Sequence, residues 1–314
     1  MIKNILVSAS VIVVVAILAY LITPDSKLYS YFVGVERVYA GLELKKLEVD
    51  GLEVEYLRGG SGHPLILLHG FGANKDNWNR ISRYLVQNFD VVAIDLPGFG
   101  NSTKSPDIDY DVRTQVERLR SIVDALNIDN FNMAGSSMGG YIAGNFAAKY
   151  PENVQSLWLI SPFGVKDSEL SEMFELTQKG LHPVVLPRTG REFAELMGYL
   201  FVSPPYIPSP ILDHLAAESE LNIDVNEKAF NQIHRMKGGT PHPELPLDKI
   251  LASYTGPVLI SWGERDRILH WTGSLALKKA IPHAKIEIIK NTGHLPMVES
   301  PEKTAMSFLS FYGD

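Results

Sequence analysis

The stretch FNMAGSSMGGYIAG, residues 131–144, decides how the chain is read. A short apolar run, Phe131–Gly135, stops at small residues, and helical composition starts at Met138. Strand, sharp turn and helix follow one another within a few residues. Gly135-Ser136-Ser137-Met138-Gly139 fits G-x-S-x-G with Ser137 at its centre, and no other stretch of the chain does. A chain of this composition meets that pattern by accident about one time in ten, so the context carries the argument. Ser137 falls on the strand-to-helix turn that a serine nucleophile elbow requires. Glycines on either side let the strand and helix backbones approach. The helix N-terminus adds positive potential near the serine oxygen. Ser136 takes the x position, and its side chain is expected to point away from the pocket.

Outward from this turn, short continuous apolar runs alternate with helical stretches. The runs are PLILLHG (64–70), FDVVAIDLPG (89–98), SLWLISP (156–162), PVLISWG (257–263) and KIEIIKN (285–291). Strands apolar on both faces belong to a parallel sheet covered by helices. Before them, LKKLEVDGLEVEYLRGG alternates apolar and polar residues around Asp50-Gly51, the pattern of a β-hairpin. The expectation is an α/β fold with a mostly parallel, eight-stranded sheet. The alternation breaks between Phe163 and about Pro257, where helical stretches punctuated by prolines carry no strand signal. That segment reads as an inserted helical subdomain, over residues 164–249.

A serine hydroxyl needs a base. Of nine histidines, His294 alone follows the last strand run and leaves room for an acid between itself and Ser137. The chain order Ser, then Asp or Glu, then His is the one this sheet topology uses. After PVLISWG comes a polar turn with Asp266 as the acid and Glu264 as the next candidate. A helix cap or a pair with Arg265 or Arg267 is the competing role for Asp266. The backbone N–H of Phe71, in LLHGFGANKDNW, and that of Met138 are the expected donors of an oxyanion hole. His69 is expected to brace that loop. Asp95, beside Gly98 and Gly100, is expected to stabilise a turn.

Composition narrows the class. The chain has 314 residues, 45 % of them hydrophobic, a net charge of -7 and no dense basic block, which argues against a nucleic-acid partner. The absence of cysteine removes thiol nucleophiles, disulfides and thiolate metal sites. No ligand cluster for a metal or organic cofactor stands out, so none is expected. The N-terminal run Ile5–Ile22 carries no charge. As a helix it would span about 27 Å, close to a hydrocarbon core of ~30 Å. It is longer than a signal-peptide core and no A-x-A-like cleavage site follows it. Residues 1–23 are therefore read as a transmembrane anchor. Lys3 lies before the span, which places the body outside the cytoplasm, in a periplasmic or other extracytoplasmic space. In residues 24–42, Leu28, Tyr31, Phe32, Val35, Val38, Tyr39 and Leu42 form one apolar helical face, free to lie on lipid or to dock on the domain.

HGFGANKDNW, DLPGFGNS, GSSMGG, WGERDRI and GHLPMVESP occur in the order and spacing of the α/β-hydrolase superfamily. The resemblance runs from about residue 45 to the C-terminus, with residues 43–163 and 250–314 as the core. Within the superfamily, the N-terminal run, HGFGANKDNW and PPYIP in the insertion resemble the bacterial family V lipases and the membrane-anchored monoacylglycerol lipases. The resemblance implies carboxylic-ester hydrolysis on lipid or acylglycerol substrates through an acyl-enzyme, with Ser137, Asp266 and His294 as the triad. Serine at the elbow argues against the haloalkane dehalogenases and epoxide hydrolases, which use Asp there. C–C bond hydrolases and thioesterases keep the same triad and remain open, as does a non-catalytic binding scaffold. Acyl length, head group and oligomeric state have no signature in the sequence.

Overall fold

The computed structural model describes residues 23–313. The anchor read in residues 1–23 lies outside them up to residue 22. Among the described residues no helix is long and apolar enough to cross a membrane.

Helix α1 (Asp25–Ala40) leads into the hairpin β1 (Glu43–Val49) and β2 (Leu52–Gly60). Then come β3 (His63–Leu68), α2 (Asn79–Leu85), β4 (Phe89–Ile94), α3 (Val112–Ala125), β5 (Phe131–Ser136), α4 (Met138–Lys149) and β6 (Val154–Ile160). Five helices precede the next strand: α5 (Glu172–Gln178), α6 (Gly190–Leu200), α7 (Ser209–Leu221), α8 (Ile223–His234) and α9 (Leu247–Ile250). The chain closes with β7 (Val258–Gly263), α10 (Gly273–Ala280), β8 (Lys285–Ile289), α11 (Pro296–Glu299) and α12 (Pro301–Gly313).

The eight strands form one sheet in the order β1-β2-β4-β3-β5-β6-β7-β8. Only β1–β2 and β2–β4 pair antiparallel. The hairpin turns at Asp50 (φ 51°) and Gly51 (φ 75°), both left-handed, as a two-residue turn between right-twisted strands demands. Within β3, Leu65 and Leu67 pack into the core on one face and Ile66 and Leu68 into the core on the other, and all four are fully buried. That is why the run reads as continuously apolar. The chain leaves β3 towards β4 on one side and returns to β5 on the other, so the strand order reverses between β3 and β5. The C-terminal ends of strands on either side of such a reversal leave a crevice.

Helix α1 stops at Gly41, whose φ of 72° lets the Leu42 N–H reach back to the Arg37 carbonyl. It packs on α2 and α7. The face that docks is not the one the apolar periodicity picks out. Val33 and Ala40 are buried, Tyr29 meets the His214 ring of α7, and Tyr31, Val35, Val38 and Tyr39 stay exposed. An apolar stripe reports burial only where a partner is available, and here polar pairs from Arg37 set the docking face.

Candidate active site

Ser137 sits between β5 and α4 with φ 53° and ψ -117°, a conformation that L side chains rarely adopt. The turn is held because its neighbours leave no room. A Cβ on Gly135 would stand 2.2 Å from the Gly139 carbonyl oxygen, and one on Gly139 would stand 2.2 Å from that of Leu68. Ser137 keeps 8 % of its surface accessible. Ser136 is fully buried, and its hydroxyl has no partner among the described residues. Of the two serines, only Ser137 is presented to the crevice. Met138 opens α4, where the first N–H groups have no partner within the helix.

Two loops at the same sheet edge bring Asp266 and His294 together. A Cβ on Gly263 would stand 1.9 Å from the Gly293 carbonyl oxygen, so the turns after β7 and β8 lie back to back. The Arg265 N–H donates to the Thr292 carbonyl at 3.0 Å. His294 Nδ1 donates to Asp266 Oδ2 at 2.7 Å, since a carboxylate only accepts, which leaves Nε2 with its lone pair. Trp262 Nε1 donates to the same oxygen at 3.0 Å, and the Ile268 and Leu269 N–H groups donate to Oδ1 at 2.9 Å each. Four donors saturate a carboxylate that is almost wholly withdrawn from water. Asp266 thus plays both parts, with Oδ1 capping the Ile268 and Leu269 N–H groups and Oδ2 facing the imidazole. Arg267 pairs with Glu172 instead, at 2.6 Å, and Glu264 is exposed and accepts from the Asn291 N–H. Ser137 Oγ makes no hydrogen bond to His294 among the described residues. Contacts of this kind tighten when substrate binds.

The loop after β3 reaches the elbow. A Cβ on Gly70 would stand 3.3 Å from Ser137 Cβ, which brings the backbone of the next residue, Phe71, to the crevice. His69 braces this loop as expected: Nε2 accepts from the Leu96 N–H at 3.1 Å and Nδ1 donates to the Gly70 carbonyl at 2.7 Å. Burial holds its pKa below the usual imidazole range, so it stays neutral. Asp95 does more than stabilise the turn at Asn101. It also takes Lys75 Nζ at 2.7 Å.

The insertion closes over the crevice from two sides. At one, the His294 N–H donates to the Leu200 carbonyl at the end of α6, 2.8 Å away. At the other, the Phe71 ring meets Phe230 and His234 of α8 at 5.7 and 5.9 Å between centroids. His234, which nothing local in the sequence marks, lies stacked on Phe230 at 4.0 Å and 4.4 Å from Phe163. Phe163 in turn donates its N–H to the Ser137 carbonyl at 3.0 Å. Burial pushes the His234 imidazole down to about 4. A cavity of about 400 Å³ lies elsewhere, between α1, α2 and Ser203–Pro205, and touches none of the three candidate residues. Among the described residues no cluster of His, Asp and Glu is fit to hold a metal ion.

The family model for the alpha/beta hydrolase fold matches residues 63–198 and 188–301. The chain belongs to the α/β-hydrolase fold family. Among its relatives, Lipase 1 of Psychrobacter immobilis is 34 % identical over 88 % of this chain and 86 % of its own. Monoacylglycerol lipase ABHD6 of Mus musculus is 30 % identical over 93 % of this chain and 89 % of its own. A solved structure described as a membrane phospholipase A, a bacterial virulence factor, superposes with a TM-score of 0.88 at 36 % identity, covering 99 % of this chain and 98 % of the other. The likenesses to the monoacylglycerol lipase and to the solved structure extend beyond the hydrolase core into the insertion and α1, since they cover 93 % and 99 % of this chain.

Proposed function

We propose that the protein is a membrane-anchored carboxylic-ester hydrolase acting on lipid substrates of the acylglycerol type. Ser137 attacks the ester carbonyl while His294 Nε2 takes its proton, and Asp266 holds the imidazole and stabilises its charged form. The Phe71 and Met138 N–H groups hold the oxyanion. His294 then protonates the departing alcohol, and water repeats the cycle on the acyl-enzyme. The observation that carries this reading is the buried Asp266–His294 pair, 2.7 Å apart, at the same sheet edge as the strained Ser137 turn. Relatives named as lipases support the substrate class. The aromatic and aliphatic side chains that α6 and α8 contribute over the crevice suit an acyl chain.

Membrane attachment rests on the uncharged run Ile5–Ile22 and on the exposed side chains of α1 directly after it. That face would lie at the lipid interface, with the body outside the cytoplasm. The test is hydrolysis of p-nitrophenyl esters from short to long acyl chain by the full chain in detergent, beside Ser137→Ala. Activity that rises with chain length and is lost in the variant is the expected result. Full activity in Ser137→Ala would sink the scheme.

A further inference from the structure

Helix α1 is tied to the loop after β3 by an ionic chain that the reaction scheme does not use. Arg37, on α1, donates from Nε to Asp76 Oδ1 and from Nη2 to Asp76 Oδ2, both at 2.7 Å. Asp76 Oδ1 also accepts from Asn79 Nδ2 at 3.1 Å, and the Asp76 N–H donates to Asn74 Oδ1 at 2.9 Å. Next to it Lys75, 1 % exposed, sends its N–H to Asp95 Oδ1 at 2.6 Å and Nζ to Asp95 Oδ2 at 2.7 Å and Glu55 Oε2 at 3.1 Å. Tyr29, two helical turns before Arg37, is half-buried beside the same segment. Burial first, then the Asp76 charge, keep it a neutral phenol.

Between the two anchored ends the Phe71 ring is packed against Phe99, Phe230 and His234, and the backbone after it is the looser part. Gly72 has a φ of 66° and open space around it, and the Ala73 N–H reaches the Gly70 carbonyl at a long 3.3 Å. Phe71 lies in this stretch. Those ring contacts hold its side chain, and the direction of its N–H is set together with them by what fixes the backbone ends: His69 on one side and residues 74–76 on the other. A guanidinium fork fixes both the position and the plane of the carboxylate it grips, which an ammonium cannot do. Lys75 is bound into the sheet core and cannot be removed without leaving the buried Asp95 carboxylate without a cation. Arg37 is the charged member of this chain that comes from α1, outside the sheet and its crossover helices.

We infer that Arg37 is a positioning residue for the Phe71 oxyanion donor, acting through Asp76, so that the helix beside the membrane segment is a working part of the site rather than a linker. The inference rests on the ester-hydrolase reading above.

The test uses the full chain in detergent with Arg37→Gln and Arg37→Lys, and with Arg113→Gln, which breaks an exposed pair with Glu244, as control. In Arg37→Gln the account expects kcat to fall about 10–100-fold with KM held within about twofold, as for a small misplacement at a reacting centre. The rate of fluorophosphonate inactivation falls in parallel, because the tetrahedral adduct uses the same donors. Arg37→Lys recovers part of the loss, and Arg113→Gln keeps the wild-type kcat. Hydrogen exchange quickens in peptides covering residues 69–76 and not in those covering β5 or β7. A kcat within about twofold of wild type overturns the inference. So does a loss accompanied by faster exchange throughout the chain, which marks a structural role only. Should wild type hydrolyse no ester, the function reading fails by itself. The exchange of residues 69–76 in Arg37→Gln then decides alone whether Arg37 holds the loop.

Discussion

Asp266 receives four hydrogen bonds and gives none, so the oxygen that faces both His294 and Trp262 has to remain an acceptor. Asp266→Asn places an amide among donors and turns the imidazole to the wrong tautomer. The expected result is a fall in kcat of about 10³–10⁴-fold with the fold retained, read from ester hydrolysis and circular dichroism. His234 makes a separate prediction. Its pKa is about 4 in the folded chain, against an ordinary value near 6.5. The unfolded chain therefore binds more protons between those values. The neutral imidazole contributes full stability above pH 6.5, and that contribution drains away as pH falls to 4, by up to about 3 kcal/mol. His234→Phe flattens this dependence in urea unfolding at pH 7 and pH 5; an unchanged slope contradicts the buried neutral state. Ser137, Asp266 and His294 were legible because each follows a strand run in a fixed order. His234, Lys75 and Arg37 were not, because the partners that define their surroundings include residues far along the chain, from Asp95 and Glu55 for Lys75 to Phe71 and Phe163 for His234, and no local pattern reports that.

The Ser137 turn is the element on which the candidate site depends, and its two glycines are a matter of space. A methyl on Gly139 would enter the Leu68 carbonyl, backbone against backbone, with no flexible side chain to give way. Gly139→Ala should destabilise the protein by about 2–4 kcal/mol and displace Ser137. Unfolding in urea and fluorophosphonate reactivity measure both effects, and a variant with wild-type values would contradict the packing described. Strands β3 to β7 were readable because burial on both faces leaves continuous apolar runs, and the hairpin because its residues alternate. Helix α1 was readable as a helix but not in its orientation. Its docking face is set by Arg37, Tyr29 and two small or branched residues, while its larger apolar residues face outward.

At the scale of the molecule, the site forms where the strand order reverses between β3 and β5, with the turns after β7 and β8 completing it and the insertion roofing it. The insertion was visible in the sequence as a break in alternation, but its contacts were not, since Leu200 and His234 meet the core through backbone and ring geometry. The uncharged Ile5–Ile22 run and the outward face of α1 together predict firm membrane attachment. The full chain should stay in the membrane fraction through carbonate extraction, and its release would contradict an anchor. The central claim is that Ser137 is a nucleophile activated by the Asp266–His294 pair. The most direct measurement is mass spectrometry of the full chain after reaction with a fluorophosphonate, with peptide mapping, beside His294→Ala. The account predicts a single adduct on Ser137 in wild type and none in the variant. A folded wild-type protein that takes no label, or takes it on another residue, would contradict it.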